Sequence, residues 1–523
     1  MGEVEAILIS LLVSVAVLGA AARAVNIPYP IVLVVGGLLL GFLPGMPEAE
    51  LEPDLVLVIF LPPLLYSAAF FANLHDLRQS LRPITLQAVG LVLITMCTVA
   101  LAIKALVPGM PWAAAFTLGA IVAPTDPLAA TAIARRMAVP RRLVSVIEGE
   151  SLINDGTALV AYRTAVVAVG GTFSIWSAGL DFVVDVAGGV AIGIAAGLVI
   201  TEIRRRIDDI PVEITISILS GYAGYLPAEA LHVSGVLAAV TTGIVLGWKA
   251  PEISTASMRL QGYAVWEILT FLLNALLFVL IGLQLPLILD GLSGQPPGEL
   301  LWWCVAISLV VIVTRLLWSQ TVVFLVRALD RRAVMQERRS TWQSRMIIGW
   351  AGMRGSVSLA AALALQPGFP NRELIQLLTF AVIFATLVLQ GLTLPALIRR
   401  LGVADDGVDA QEELVGRRAA ASVALARLNE LAEEEWTYDD TIERMRGMYR
   451  YRSRRFAARA GEGEEDGDGI EHRSLKYQKL VRVVIDAQRA ELVRLRNIGE
   501  ISNEVMHRLE RELDLEEERL EIT

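Results

Sequence analysis

The sequence predicts an all-α membrane protein. It should have about 13 transmembrane helices in two inverted six-helix repeats, with crossed, interrupted helices at positions five and twelve, and a helical cytoplasmic tail. Three observations lead there. Of 523 residues, 55% are hydrophobic, and apolar runs recur near the length of about 20 residues that a bilayer requires. Residues 1–400 hold 25 acidic and 25 basic side chains, while 401–523 hold 29 and 20 and so carry the whole net charge of −9. Two apolar runs, at matching places in the two halves, are broken by Pro or Gly.

The apolar runs centre on 4–22, 27–43, 54–72, 83–107, 112–134, 144–170, 181–203, 212–227, 231–248, 263–289, 299–327, 343–366 and 372–398. The second and eighth are short. Runs one to six and eight to thirteen form the two halves, with the seventh as connector. The first run follows Met1-Gly-Glu-Val-Glu, acidic where a cleavable leader would be basic, so it reads as an uncleaved first helix. Loop charges give the orientation. Odd-to-even loops hold seventeen Lys and Arg, among them Arg135, Arg136, Arg141, Arg142 and Arg204 to Arg206; the opposite loops hold only Lys104 and Arg372. By the positive-inside bias the N-terminus is outside and the tail is cytoplasmic.

Residues 1–400 are thus read as the transmembrane domain and 401–523 as a charged tail, divided by the acidic, glycine-rich linker GEGEEDGDG at 461–469. That linker does not continue into a calcium loop, since Ile470 stands where a ligand belongs. Residues 411–459 show helical spacing broken near 436–440, and 471–520 align Leu480, Val484, Ala487, Leu495 and Ile498 on one helical face. A helical bundle or coiled coil is expected there. Cys97 and Cys304 both lie in apolar runs and read as small core residues rather than a disulfide or metal pair.

Three polar clusters interrupt the apolar runs. In APTDPLAA (123–130), Pro124 and Pro127 flank Thr125-Asp126. Two prolines three apart remove backbone donors from adjacent turns, so this helix should unwind and free carbonyl oxygens. Broken backbone at membrane depth is tolerated where it lines a cavity, and freed carbonyls at a half-helix C-terminus favour a cation.

In EGESLINDGTALV (148–160), the helical period stacks Ser151 with Asp155, and Glu150 with Asn154 on a neighbouring face. Glu148 lies near the cytoplasmic end, where a salt bridge suits it as well as a functional role. Asp155 falls at mid-helix and mid-membrane, where a carboxylate is a functional candidate by default. Hydroxyl and carboxylate oxygens suit a hard cation such as sodium, and the carboxylate can take a proton instead. In GWAGMRGSVSLAAA (349–362), Gly352 and Gly355 flank Arg354. A buried arginine needs a partner, with Glu150 or Asp126 in view. Other polar residues in the runs read as structural: Arg163 as a snorkelling or paired side chain, Glu229 and His232 as loop surface, Asn274 and Arg315 as contacts between helices.

APTDP, EGESLINDGTALV and GMRGSVSLA, in this order and spacing, resemble the monovalent cation/proton antiporters of the sodium–proton exchanger kind. FLPPLLYSAAF (60–70), VSGVLAAVTTGIVLG (233–247) and FLLNALLFVLIGLQLP (271–286) resemble its bacterial branch, over essentially residues 5–400. The resemblance implies a dimerisation part and a six-helix core that moves against it. It implies Asp155 as the ion- and proton-binding carboxylate, with Ser151 and the Thr125 backbone as further cation ligands. It implies that Asp126 holds Asn154 and that Glu150 pairs with Arg354. The Asn154-Asp155 pair resembles the electroneutral branch. The sequence departs at Ser67, where several relatives carry an acid.

The function expected is therefore sodium–proton antiport, one for one, by alternating access in a plasma-membrane homodimer. Potassium–proton exchange on the same fold is the alternative, and a tail-gated cation channel a more distant one. The substrates are Na+ or another monovalent cation and H+. Lipid surrounds the protein; no cofactor, nucleic-acid partner or enzymatic centre is expected, because no nucleophile–base set or metal motif is visible.

Overall fold

The computed structural model describes residues 3–25, 27–43, 53–72, 74–170, 175–329, 341–404, 407–434, 436–459, 467–498 and 500–522. Their regular structure is all helical, with no strand among them. The chain divides into two compact units, Met1–Asp405 and Asp406–Thr523.

The first unit runs α1 (Glu3–Val25), α2 (Tyr29–Gly41), α3 (Pro53–Phe70), α4 (Leu74–Leu106), α5 (Trp112–Ile121), α6 (Leu128–Arg136) and α7 (Arg141–Ala168). It continues with α8 (Ile175–Arg204), α9 (Ile210–Ala230), α10 (Gly235–Ile253), α11 (Ala256–Gly291) and α12 (Pro297–Leu329). The last members are α13 (Trp342–Trp350), α14 (Ser356–Leu363), α15 (Arg372–Ala385) and α16 (Gly391–Leu401), with a π-helical turn, Thr386–Gln390, joining the final two. Among the described residues six helices are long and apolar enough to cross a membrane. The fifth and twelfth expected runs are each two helices around a break, α5/α6 and α13/α14. The eighth is longer than its apolar core: the Asp209 side chain accepts from Val212 N at 3.0 Å and caps α9 at Ile210, two residues before the apolar run. Ser234 caps α10 and Thr255 caps α11 in the same way.

Backbone groups inside an apolar medium must find partners within the protein, and the helix contacts show how. Pro63 in α3 has no N–H to give to the Ile59 carbonyl one turn back. The Tyr222 hydroxyl of α9 donates to that carbonyl at 2.8 Å. Hydrophobic burial does not drive helices together in lipid, so close backbone approach matters more. Between α2 and α11, Gly37 faces the Val279 carbonyl and Gly282 faces the Gly37–Leu38 backbone, so closely that a Cβ on either would overlap main chain. Large apolar side chains turned outward, such as Leu101, Leu198, Trp302 and Leu317, present the surface a lipid chain would meet.

Arg163 pairs with Glu229, which is thus engaged rather than merely solvated, and Arg135 reaches Glu148 at 2.8 Å. Among the described residues Asn274 donates to the Thr270 carbonyl of its own helix at 2.8 Å and not to a neighbouring helix. Cys97 is exposed and Cys304 half-buried, so Cys97 does not fill the core as its apolar surroundings led us to expect.

The second unit comprises α17 (Val408–Leu431), α18 (Asp439–Arg459), α19 (Gly467–Asn497) and α20 (Asn503–Ile522). Residues 461–466 of the expected linker lie outside the described residues, and 467–469 already belong to α19. The expected single face over 471–520 does not persist. The chain turns between Asn497 and Asn503, and Leu480, Val484 and Ile498 are exposed. The two arms are tied instead by Arg489, which meets Asp514 at 2.5 Å and Glu517 at 2.7 Å. Bonds to these two carboxylates raise the Arg489 pKa above its ordinary value.

Candidate ion site

The site is built where the two broken helices meet. After α5 ends at Ile121, Val122 to Pro127 run without regular structure; after α13 ends at Trp350, so do Ala351 to Gly355. Each break supplies what the other lacks. Asp126 N donates to the Met353 carbonyl at 2.8 Å, and Arg354 Nε donates to the Val122 carbonyl at 2.7 Å. Arg354 also donates from a terminal nitrogen to the Gly352 carbonyl at 2.8 Å. Its guanidinium thus lies at the C-terminal ends of both α5 and α13, where two helix dipoles present partial negative charge.

Asp126 does the converse. Its Oδ1 accepts from Leu128 N at 2.9 Å at the start of α6, and its carboxylate packs against Gly355 at the start of α14. One anion therefore faces two helix N-termini and one cation two C-termini, both side chains being held at the crossing. Gly355 is required by this closeness, since a Cβ there would fall inside the Asp126 carboxylate. Gly355→Ala is expected to push the two breaks apart and lower thermal stability clearly. A variant that melts with the parent protein and exchanges ions normally would show that the crossing tolerates the displacement.

α7 lies alongside α5, and its polar face turns toward the break. Ser151 Oγ donates to the Thr125 carbonyl at 2.5 Å. Asn154 Nδ2 donates to Thr125 Oγ1 at 2.7 Å, and Thr125 N approaches Asn154 Oδ1 at 3.4 Å. Asn154 is thus held by Thr125 and not, as the resemblance implied, by Asp126. The reason is geometric: Asp126 is already turned to the helix starts on the far side of the break.

Asp155 sits one turn beyond Ser151, 7% exposed, with Oδ1 buried and unpartnered among the described residues. A buried carboxylate oxygen with no donor is costly as an anion. A cation or a proton relieves that cost. Asp155, Ser151, Thr125 and Asp126 line one cleft of about 290 Å3, together with Ser67 of α3 and Asn274 of α11. Ser67 Oγ donates to its own helix at the Leu64 carbonyl, 2.9 Å away, and keeps its acceptor capacity. Glu148 and Arg135 also line it.

The expected Glu150–Arg354 ion pair is replaced by another. Glu150 Oε1 accepts from Arg315 of α12 at 2.5 Å, and Glu150 Oε2 accepts from Gln87 Nε2 of α4 at 2.8 Å. Arg315 further donates to the Ile348 carbonyl of α13 at 3.2 Å. Glu150 and Arg354 are both 0% exposed, but Arg354 is bonded through Nε and one terminal nitrogen to backbone carbonyls of the two breaks, its other terminal nitrogen being buried without a partner among the described residues. Sequence reasoning left Arg315 as a generic contact between helices, although an arginine in VVIVTRLLW carries the same signal that singled out Asp155. Thr386 was also missed. Its hydroxyl accepts from Arg354 N at 3.0 Å in the π turn, a distortion that often marks functional sites. A lone threonine in an apolar run gives no such signal.

A multi-helix membrane protein with two helix breaks that meet, an acid and an arginine buried at their ends, and buried carboxylate oxygens without donors among the described residues on both Asp155 and Asp126, has the build of a secondary ion transporter. The chain belongs to the sodium/hydrogen exchanger family, whose transmembrane-domain model matches residues 9–400. An uncharacterized sodium/proton exchanger of Mycobacterium tuberculosis is 34% identical over 501 residues, covering 94% of this chain and 91% of that protein. The sodium/proton antiporter ApNhaP of Aphanothece halophytica is 34% identical over 409 residues, covering 77% and 76%. Among solved structures, the sodium–proton antiporter MjNhaP1 of Methanocaldococcus jannaschii superposes with a TM-score of 0.58 at 19% identity. It covers 76% of this chain and 99% of that one, a likeness of fold.

Proposed function

We propose that the protein is an electroneutral sodium–proton antiporter in which one cation and one proton compete for Asp155 as the cleft faces alternate sides of the membrane. The observation that carries this reading is the buried, unpartnered Oδ1 of Asp155 on the wall of a cleft that also holds the Thr125 and Ser151 oxygens. Deprotonated Asp155 takes a partly dehydrated cation. The Thr125 carbonyl has a second lone pair beside its bond from Ser151, and the Ser151 hydroxyl oxygen keeps its own acceptor sites. A proton arriving on Asp155 cancels the charge that holds the cation. Competition for one carboxylate then couples the two fluxes with no further device. Plasma-membrane location, a cytoplasmic tail and a homodimer complete the reading.

Proteoliposome exchange tests it. Sodium added outside should drive proton efflux, and the reversal point should not move when potassium–valinomycin potentials are imposed. One extra charge moved per cycle would feel about 2.3 kcal/mol per 100 mV. A reversal point that follows the potential rules out one-for-one exchange. No sodium-driven proton movement at all rules out the assignment.

A second reading, potassium–proton exchange at the same site, is favoured by Ser67. That position gives the cleft a hydroxyl rather than another charge. A Bacillus subtilis relative, 33% identical over 393 residues, bears the name sodium, potassium, lithium and rubidium/proton antiporter. Comparing the three commonest alkali cations in the same assay separates the readings.

A further inference from the structure

A second cleft, of about 380 Å3, opens among the ends of α3, α8, α10 and α11; it shares Phe71 with the ion cleft but none of the candidate ion ligands. Phe70, Phe71, Tyr263 and Trp266 form much of its wall, and Arg204 and Arg259 are its charged members; no acid lines it among the described residues. Arg204 is 2% exposed. Its Nε and one terminal nitrogen are bound to Glu213 Oε1 at 3.3 and 2.9 Å, and that terminal nitrogen also meets Ser254 Oγ at 3.3 Å. The other terminal nitrogen is buried without a partner among the described residues. Arg259 is exposed, donates to the Ser254 carbonyl at 2.5 Å, and has no acidic partner among the described residues.

Guanidinium groups present a planar fork of donors that matches phosphate oxygens. Glu213 offsets the charge of Arg204, so the pair of arginines leaves one net positive charge at the cleft. The cleft lies at the end of the bundle that carries Arg204 to Arg206, the end the loop charges assign to the cytoplasm. Aromatic side chains at that level suit a membrane–water boundary, where Trp and Tyr concentrate. Basic pockets between membrane helices on that side are sites for acidic lipid headgroups. The volume falls within the ordinary range for a small-ligand pocket, about 300–1,000 Å3.

We propose that this cleft is a phosphate-binding site, in which Arg259 holds a phosphate oxyanion against the aromatic wall and the buried guanidinium of Arg204, which also lines the cleft, attracts it from behind. The proposal is independent of transport. The ligand is either the headgroup of an acidic glycerophospholipid or soluble phosphate.

The experiment uses the purified full chain in detergent and follows thermal stability and native mass spectra with three additions: phosphatidylglycerol, phosphatidylcholine and inorganic phosphate. Phosphatidylglycerol should raise the melting temperature and remain bound in the spectrum. Phosphatidylcholine should do neither. Arg259→Gln, on an exposed side chain whose one hydrogen bond among the described residues is to the Ser254 carbonyl, should weaken the retained lipid about tenfold, as loss of a charge-assisted hydrogen bond would. Stabilisation by inorganic phosphate alone, lost in Arg259→Gln, identifies a soluble anion as the ligand. Equal effects of the two lipids, or an unchanged response in Arg259→Gln, overturn the site.

Discussion

Asp155→Asn is expected to reduce sodium–proton exchange to the level of empty liposomes while leaving a folded protein. The amide has the shape of the carboxylate, so α7 packs as before beside α5. It can neither bind a proton at working pH nor neutralise a bound cation, and both half-cycles depend on those two abilities. Stability should hold or rise, because the parent side chain buries an oxygen with no donor among the described residues. Ion flux and melting temperature, measured on the same preparation, separate loss of function from loss of fold. Proton movement that still follows sodium in this variant would move the exchange site elsewhere, with Asp126 next in line because it lines the same cleft.

The contrast between Asp155 and Asp126 shows what the sequence makes legible. Both are acids in apolar runs, Asp155 singled out by its mid-helix place and Asp126 by the prolines that flank it. The helical period placed Ser151 and Asp155 together, and the structure sets both on one cleft wall. Pro124 and Pro127 announced a broken α5, and Gly352 and Gly355 a broken α13/α14, because a missing donor or a missing Cβ is local information. What the period and the prolines do not carry is which break faces which. Asp126 turns to the starts of α6 and α14, whereas Arg354 turns to the ends of α5 and α13. That choice depends on the crossing of segments more than two hundred residues apart.

The same limit explains the ion pair. Glu150, Arg315 and Arg354 all stand out as charges in apolar segments, and three such residues allow more than one pairing. Arg354 found its acceptors in the carbonyls that the breaks release, so Glu150 was left for α12. Gln87 joined from α4, and its own carbonyl accepts from Trp318 Nε1 at 3.1 Å, which ties α4 to α12 on the same level. The tail shows a different failure. A 3.6-residue period continues through Asn497 to Asn503 as readily as it stops there, so one long helix and a hairpin look alike in sequence.

Breaking the Glu150–Arg315 pair from either side should be strongly destabilising. Their side chains are 1% and 3% exposed, and the pair sits among α4, α7, α12 and α13. Removing one member leaves the other charged inside the protein, at about 3–5 kcal/mol. Glu150→Ala strands Arg315 with the Ile348 carbonyl; Arg315→Ala strands Glu150 with the Gln87 amide. Each single variant should therefore melt well below the parent. The double variant should lose much less than the sum, since no uncompensated charge remains. The same cycle run on Glu150 and Arg354 should show weaker coupling, because Arg354 is bonded to Val122 and Gly352 whatever stands at position 150. Strong coupling of Glu150 to Arg354 with additive losses at Glu150 and Arg315 would restore the pairing that the family resemblance implied.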